Sequence, residues 1–138
     1  MMFESVSIVA IIGSGISSMI LGSAWYGPLF GKTWTTLEGW TEADIEQGKK
    51  QNMAKTYGIQ FVGSLVFAAV LGMFARTIGA LTLTDGLVVG FWAWLGFALP
   101  LLLGSVLWNG KPWKLYALHA GYNLVQFALI GAIVTLWG

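Results

Sequence analysis

The chain has 138 residues, of which 57% are hydrophobic and only 9% are Asp, Glu, Lys or Arg. A soluble domain carries roughly 25% charged residues, so this chain has too few for a water-exposed surface. The net charge of +1 excludes nucleic-acid binding through a basic face. The absence of cysteine excludes disulfides, thiolate metal sites and cysteine nucleophiles.

Four apolar blocks lie between the charged segments, over about residues 6–27, 57–76, 86–108 and 115–137. A helix that rises ~1.5 Å per residue needs roughly 20 residues to cross the hydrocarbon, and each block is about that long. Because lipid cannot satisfy open backbone groups, the blocks should be helical. The sequence therefore predicts an all-α polytopic integral membrane protein. We expect a single membrane domain over residues 1–138, folded as a four-transmembrane-helix bundle.

The first block is predicted to be a transmembrane helix rather than a cleaved signal peptide. A signal peptide needs a basic segment before its apolar run, and Met1 to Ser5 contain Glu4 but no Lys or Arg.

The long first connection predicts a short amphipathic cytoplasmic helix between the first and second transmembrane helices, from about Glu42. Thr41 and Asp44 have the spacing of a capping box, and acidic residues precede basic ones as the helix dipole favours. Whether this helix continues into the second span stays open. Thr82 and Asp85 repeat the capping spacing before the third helix. Pro100 should kink the third helix, since it has no backbone N–H to donate.

The distribution of basic residues predicts the orientation. Six of the seven basic residues lie in the first and third connections, and only Arg76 lies on the other side; the six are Lys32, Lys49, Lys50, Lys55, Lys111 and Lys114. By the positive-inside rule these connections face the cytoplasm, with both termini outside.

Two motifs in and after the first helix have simple structural interpretations. Gly15, Ser18 and Gly22 share a face and predict close helix packing, with a pore lining as the alternative. The interfacial motif Trp25-Tyr26-Gly27-Pro28 predicts a helix end anchored by aromatic rings, because proline disfavours helix at the preceding residue. A small binding or gating element is the alternative for this motif.

The fourth block contains a polar stripe formed by His119, Tyr122, Asn123 and Gln126, which are spaced three and four apart. In lipid such a stripe must face protein or water. Gln60, Ser105 and Ser17 or Ser18 are the candidate partners. The stripe is interpreted as interhelical hydrogen bonding, or alternatively as a ligand or ion site in which His119 titrates.

The signatures of catalysis are missing. No charged residue lies deep in a span, there is a single histidine, and no paired carboxylates, nucleophile–base pair or phosphate loop occurs. We therefore predict no catalytic residues, no metal site and no cofactor, and expect the protein not to be an enzyme.

Several segments together resemble the bacterial family catalogued as domain of unknown function 1761. The resemblance covers nearly the whole chain, and its most specific part is the Trp-Tyr-Gly-Pro stretch; the segments are residues 21–34, Thr41-Glu42-Ala43-Asp44, residues 53–58, Ala120-Gly121-Tyr122-Asn123 and Gly131-Ala132-Ile133. The resemblance implies a small four-helix bacterial membrane protein, and it implies no activity. We expect this protein in the inner membrane.

The sequence leaves three functions open. A non-enzymatic scaffold or accessory subunit comes first, because four small helices rich in Gly, Ala and Ser are expected to form a homo-oligomer or join a larger membrane complex in the lipid bilayer. A small channel or permease that uses the polar stripe is the second. A lipid, quinone or pigment binder that uses the many aromatic residues is the third.

Overall fold

The structure, a computed structural model, describes residues 6–50 and 52–137, and the described residues form helices and turns without strands. The α-helices are α1 (Ile8–Ala24), α2 (Gly31–Glu38), α3 (Glu42–Lys49), α4 (Met53–Ile78), α5 (Leu83–Ala93), α6 (Leu99–Leu102), α7 (Gly104–Leu107) and α8 (Trp113–Leu136). Wider π-helical turns at Trp25–Leu29 and Trp94–Ala98 follow α1 and α5. Met1 to Ser5, on which the argument against a signal peptide depends, lie outside the described residues.

Four helical stretches among the described residues are long and apolar enough to cross a membrane: Ile8–Leu29, Ala54–Ile78, Leu83–Leu107 and Trp113–Leu136. They coincide with the four predicted spans, although their ends differ by a few residues. The second differs most, because Asn52 caps α4 by accepting a hydrogen bond from the Lys55 backbone N–H at 3.1 Å. At its other end α4 stops at Gly79, which adopts a left-handed φ of 89°.

The first connection contains two short helices, α2 and α3, whereas the sequence predicted only one short helix there. α2 was not predicted, because residues 31–38 mix apolar and polar side chains without a capping signal. The predicted capping box of α3 is confirmed: the Thr41 backbone N–H donates to Asp44 Oδ2 at 2.9 Å, and Asp44 N–H donates to Thr41 Oγ1 at 3.2 Å. These bonds, above all the one from the Thr41 backbone, hold the pKa of Asp44 below its usual range. α3 ends at Lys49 and does not run into the second span.

The third span is irregular around Pro100, as the sequence predicts. Its α-helical pattern changes at Trp94, six residues before the proline, and continues as the short helices α6 and α7. Two side-chain donors join this irregular stretch to α8. The Trp94 indole N–H donates to the Ala120 carbonyl at 2.8 Å, and the Tyr116 hydroxyl donates to the Leu99 carbonyl at 3.2 Å.

Glycines bring α5 and α8 into close contact. A Cβ added at Gly86 would lie 2.6 Å from the carbonyl oxygen of Gly131, and one at Gly90 would overlap the carbonyl oxygen of Phe127. The missing side chains let the two backbones approach, as in the small-residue contacts that join membrane helices.

The fourth span is central, since α8 contacts α1, α4 and α5. The buried core lies where α4, α5 and α8 meet and consists of Ala68, Leu71, Ala93, Ile130 and Val134. This packing turns one face of α8 toward α1, where the polar stripe lies.

Candidate binding site at the lysine-rich end

The polar stripe of α8 divides between two kinds of partner. Gln126 is buried, and its Nε2 donates to Ser18 Oγ on α1 at 2.6 Å. Asn123 instead donates through Nδ2 to the His119 carbonyl of its own helix at 2.8 Å. Only part of the stripe therefore links helices, because an amide four residues beyond a carbonyl can bond within the helix.

Ser18 connects three spans. Its Oγ also lies 3.3 Å from the buried Ser64 Oγ of α4, whose single hydroxyl hydrogen is shared between Ser18 and the Gln60 carbonyl of its own helix, 3.1 Å away. A buried polar group in lipid needs such partners, since an unpaired one costs several kcal/mol. α1, α4 and α8 are thus joined by one polar contact.

A second cluster, which contains His119, lies at least one helical turn closer to the lysine-rich end than the contact of Ser18 with Gln126. Here the lysine-rich end means the part of the protein that contains α2, α3 and the turn at residues 109–112. His119 Nδ1 lies 2.5 Å from the Tyr26 hydroxyl, and His119 Nε2 lies 3.7 Å from Glu38 Oε1. We assign the His119 hydrogen to Nε2, where it points toward the Glu38 carboxylate. His119 Nδ1 then accepts a hydrogen bond from the Tyr26 hydroxyl. Lys111 Nζ pairs with Glu38 Oε2 at 3.1 Å and also donates to the Glu38 carbonyl at 3.3 Å.

The turn between α1 and α2 brings the residues of the His119 cluster together. α1 ends at Ala24, and the chain then passes through a π-helical turn that is kinked at Gly27, which has the non-helical angles φ −111° and ψ −105°. α2 then packs against α8 and brings Glu38 beside His119.

Aromatic rings surround Tyr26. The ring centroid of Trp34 lies 4.8 Å from that of Tyr26, and the ring of Tyr122 lies 5.1 Å away, both edge to face. Trp34 in turn contacts Trp40 at 4.9 Å. The interfacial motif therefore holds α1, α2 and α8 together, in addition to ending the first span.

A cavity of about 530 Å³ opens between α1, α4 and α8. Its walls carry hydroxyl, amide and aromatic groups and no charged side chain; the lining residues are Ser18, Met19, Gly22, Ser23, Tyr26, Gly27, Trp34, Thr56, Tyr57, Gln60 and Tyr122. At its inner end the cavity meets the contact of Ser18 with Gln126 and Ser64. Neutral polar groups beside aromatic walls are suited to an uncharged, amphipathic molecule.

The remaining predicted residues have the following places. Gly15 lies against Phe61 and Leu65 of α4, and Gly22 lies against Tyr122 of α8. Gln60 is exposed and lines the cavity. Ser105 does not join the stripe, because its hydroxyl donates to the Leu102 carbonyl of its own helix at 2.9 Å.

Glu38, Lys111, Ser64 and Trp34 are among the residues that the sequence did not assign to the site. Ser64 had a usable signal, because it lies four residues beyond Gln60 on the same face of the second span. Glu38 and Trp34 had none, since they depend on the unpredicted α2. Among the described residues, no group of three or more His, Cys, Asp or Glu could hold a metal ion.

A family model described as "Protein of unknown function (DUF1761)" matches residues 9–135 of this chain. The chain belongs to this family. The resemblance inferred from the sequence is thereby confirmed. No curated protein matches the chain, and no solved structure matches it. The whole cavity and the whole His119 cluster lie inside the DUF1761 match, so both are built from the part of the chain that defines its family membership.

Proposed function

We propose that this DUF1761 protein is a non-enzymatic membrane protein that binds a small uncharged amphiphile in the cavity between α1, α4 and α8. The observation that carries the proposal is the lining, which combines hydroxyl and amide groups with aromatic walls and has no charge. A ligand with a carbonyl or hydroxyl head and an apolar body, such as a quinone or a neutral lipid, matches these groups.

The hydrogen bonds at the inner end of the cavity favour binding over conduction. Ser18 is hydrogen-bonded to both Gln126 and Ser64 there, and the core cluster where α4, α5 and α8 meet is apolar. A channel needs a polar path through the whole membrane, and such a path would have to break these contacts. These contacts therefore favour a binding protein over a channel or permease.

Tyr122→Phe should weaken binding of decylubiquinone, used as the probe, by about fivefold, the effect of losing one hydrogen bond of about 1 kcal/mol. The dissociation constant is measured by native mass spectrometry of the protein in mild detergent. Tyr116→Phe is the matched control: it removes a phenol hydroxyl from the same helix, but that hydroxyl bonds Leu99 and does not line the cavity.

Two results would contradict the binding proposal. One is a wild-type protein that binds neither the probe nor any stoichiometric small molecule extracted with it. The other is an equal loss of affinity in the Tyr116→Phe control, which would place the probe elsewhere.

An accessory subunit or homo-oligomer is the second candidate, favoured by the exposure of the third span. In the most apolar stretch of the third span, 17% of the residues are buried, whereas the corresponding share in the fourth span is 33%. The irregular turn at Trp94–Ala98 lies in this span, and irregular backbone within the membrane is best tolerated when protein covers it. We expect more than one copy of the chain per particle in lipid nanodiscs, by mass photometry. A single-chain mass in both nanodiscs and mild detergent would contradict this assembly.

We place the protein in the bacterial inner membrane with its lysine-rich end in the cytoplasm, by the positive-inside rule. The chain has no cysteine, so single-cysteine variants can test this directly. A membrane-impermeant maleimide should label Leu81→Cys in intact spheroplasts and should label Ala43→Cys only after lysis. Both positions are exposed. The reverse labelling pattern would invert the topology.

A further inference from the structure

A second cavity, of about 730 Å³, lies between α2 and the first turns of α8 and shares no lining residue with the first. We call it the α2–α8 groove. We propose that the α2–α8 groove binds an anionic glycerophospholipid, with the lipid phosphate between Lys32 and Lys114 and an acyl chain along α8 toward Gly121.

The charge of the groove supports an anionic ligand. Lys32 and Lys114 both line it, and no acidic side chain does. Neither lysine forms an ion pair with any residue in the described part of the chain, whereas Lys111 and Lys49 are paired with Glu38 and Glu46. The hydroxyl of Thr33 adds a hydrogen-bonding group to the same wall, whereas the hydroxyl of Thr36 donates to the Lys32 carbonyl at 2.8 Å. Two unpaired lysines that face one groove create a local positive potential, which attracts a phosphate.

The depth of the groove supports a lipid rather than a soluble anion. Lys32 follows the end of the first span at Leu29, and Lys114 comes directly after the start of the fourth at Trp113. Both lysines therefore lie at the level of the lipid headgroups, where basic side chains attract anionic lipids. From Trp113 to Gly121 the helix rises roughly 12 Å, long enough for the upper part of an acyl chain.

The walls along this rise are apolar. Trp25, Phe30, Leu118 and Gly121 line the groove, and the rings of Trp25 and Phe30 lie 4.7 Å apart. The indole N–H of Trp25 is buried without a hydrogen-bond partner among the described residues.

The test measures binding of dioctanoyl phosphatidylglycerol to delipidated protein in mild detergent by native mass spectrometry. Lys32→Gln and Lys114→Gln should each weaken binding by about fivefold, the effect of one basic residue near a lipid headgroup. Lys55→Gln is the charge-matched control, because Lys55 is exposed at the same end and does not line the groove. Ala117→Trp, from an exposed lining position, should block binding without changing any charge.

Two comparison ligands identify the source of the phosphate. Dioctanoyl phosphatidylcholine should bind at least fivefold more weakly, because its headgroup has no net charge, and millimolar inorganic phosphate should not displace the lipid. Inorganic phosphate that binds as tightly as the lipid would overturn the lipid assignment. Equal binding of the two lipids would overturn it as well. The assignment would also be overturned if Lys55→Gln lost as much lipid affinity as Lys32→Gln and Lys114→Gln. Undiminished lipid binding by Ala117→Trp, whose indole fills the groove, would overturn it too. Because the decylubiquinone measurement uses the other cavity, either proposal can fail alone.

Discussion

Replacing Gly90 with alanine should destabilise the protein by about 2 to 3 kcal/mol, a cost typical of overpacking. The added methyl group would overlap the carbonyl oxygen of Phe127 on α8. That oxygen belongs to the backbone of a helix and cannot move aside as a flexible side chain could. α5 and α8 must therefore separate, and the neighbouring contact between Gly86 and Gly131 would loosen with them.

Gly96→Ala is the matched control for this prediction. It makes the same change in the same span, but nothing from other parts of the described structure lies within 4 Å of the added Cβ. The free energy of unfolding is measured by titration with SDS in mild detergent micelles, followed by circular dichroism. If Gly90→Ala proves as stable as Gly96→Ala, the close approach of α5 and α8 is wrong.

Replacing Ser18 with alanine should cost about 1 to 2 kcal/mol, because it leaves a buried amide unpaired. Gln126 would lose the acceptor that now lies 2.6 Å from its Nε2, and Ser64 would lose its partner on α1. In lipid no water reaches these groups to replace the bond. The loss should also loosen the inner end of the cavity.

Ser14→Ala is the internal control, since Ser14 lies one turn earlier on the same helix and is equally buried. Its hydroxyl has no hydrogen-bond partner among the described residues, so its removal should leave the unfolding free energy unchanged or raise it slightly. On a Gln126→Leu background the cost of Ser18→Ala should shrink, as a double-mutant cycle detects. Equal costs for the two serines on the wild-type background would show that Ser18 is not the polar link between the spans.

The parts of the fold that the sequence predicts correctly are local. Charged residues are absent from four long apolar blocks, and the cost of burying charge and open backbone in lipid makes those blocks helices. The capping boxes at Thr41 and Thr82 follow from residues three apart, whose bonds form within one helical turn. The distortion near Pro100 has the same local origin, since the ring removes a backbone donor.

The contacts between helices could be predicted only in part from the sequence. The face of Gly15, Ser18 and Gly22 was recognised, and the structure places it against α4 and α8. Gly86 and Gly90 carry a similar small-residue spacing but were not singled out, although they lie at the closest approach between two helices among the described residues. Spacing identifies a face that can pack, whereas the partner helix depends on how all four spans assemble.

The sequence by itself determined that the chain forms four membrane-length helices, that Ser18 and Gln126 must find partners away from lipid, and that the lysines gather at one end. Only the tertiary structure decided that Gln126 bonds Ser18 while Asn123 bonds its own helix, and that α2 brings Glu38 to His119. The physical reason is the range of the interactions. Hydrophobicity, capping and proline act within a few residues, whereas the α1–α2 turn and the α5–α8 contact join residues that only the packed chain brings together.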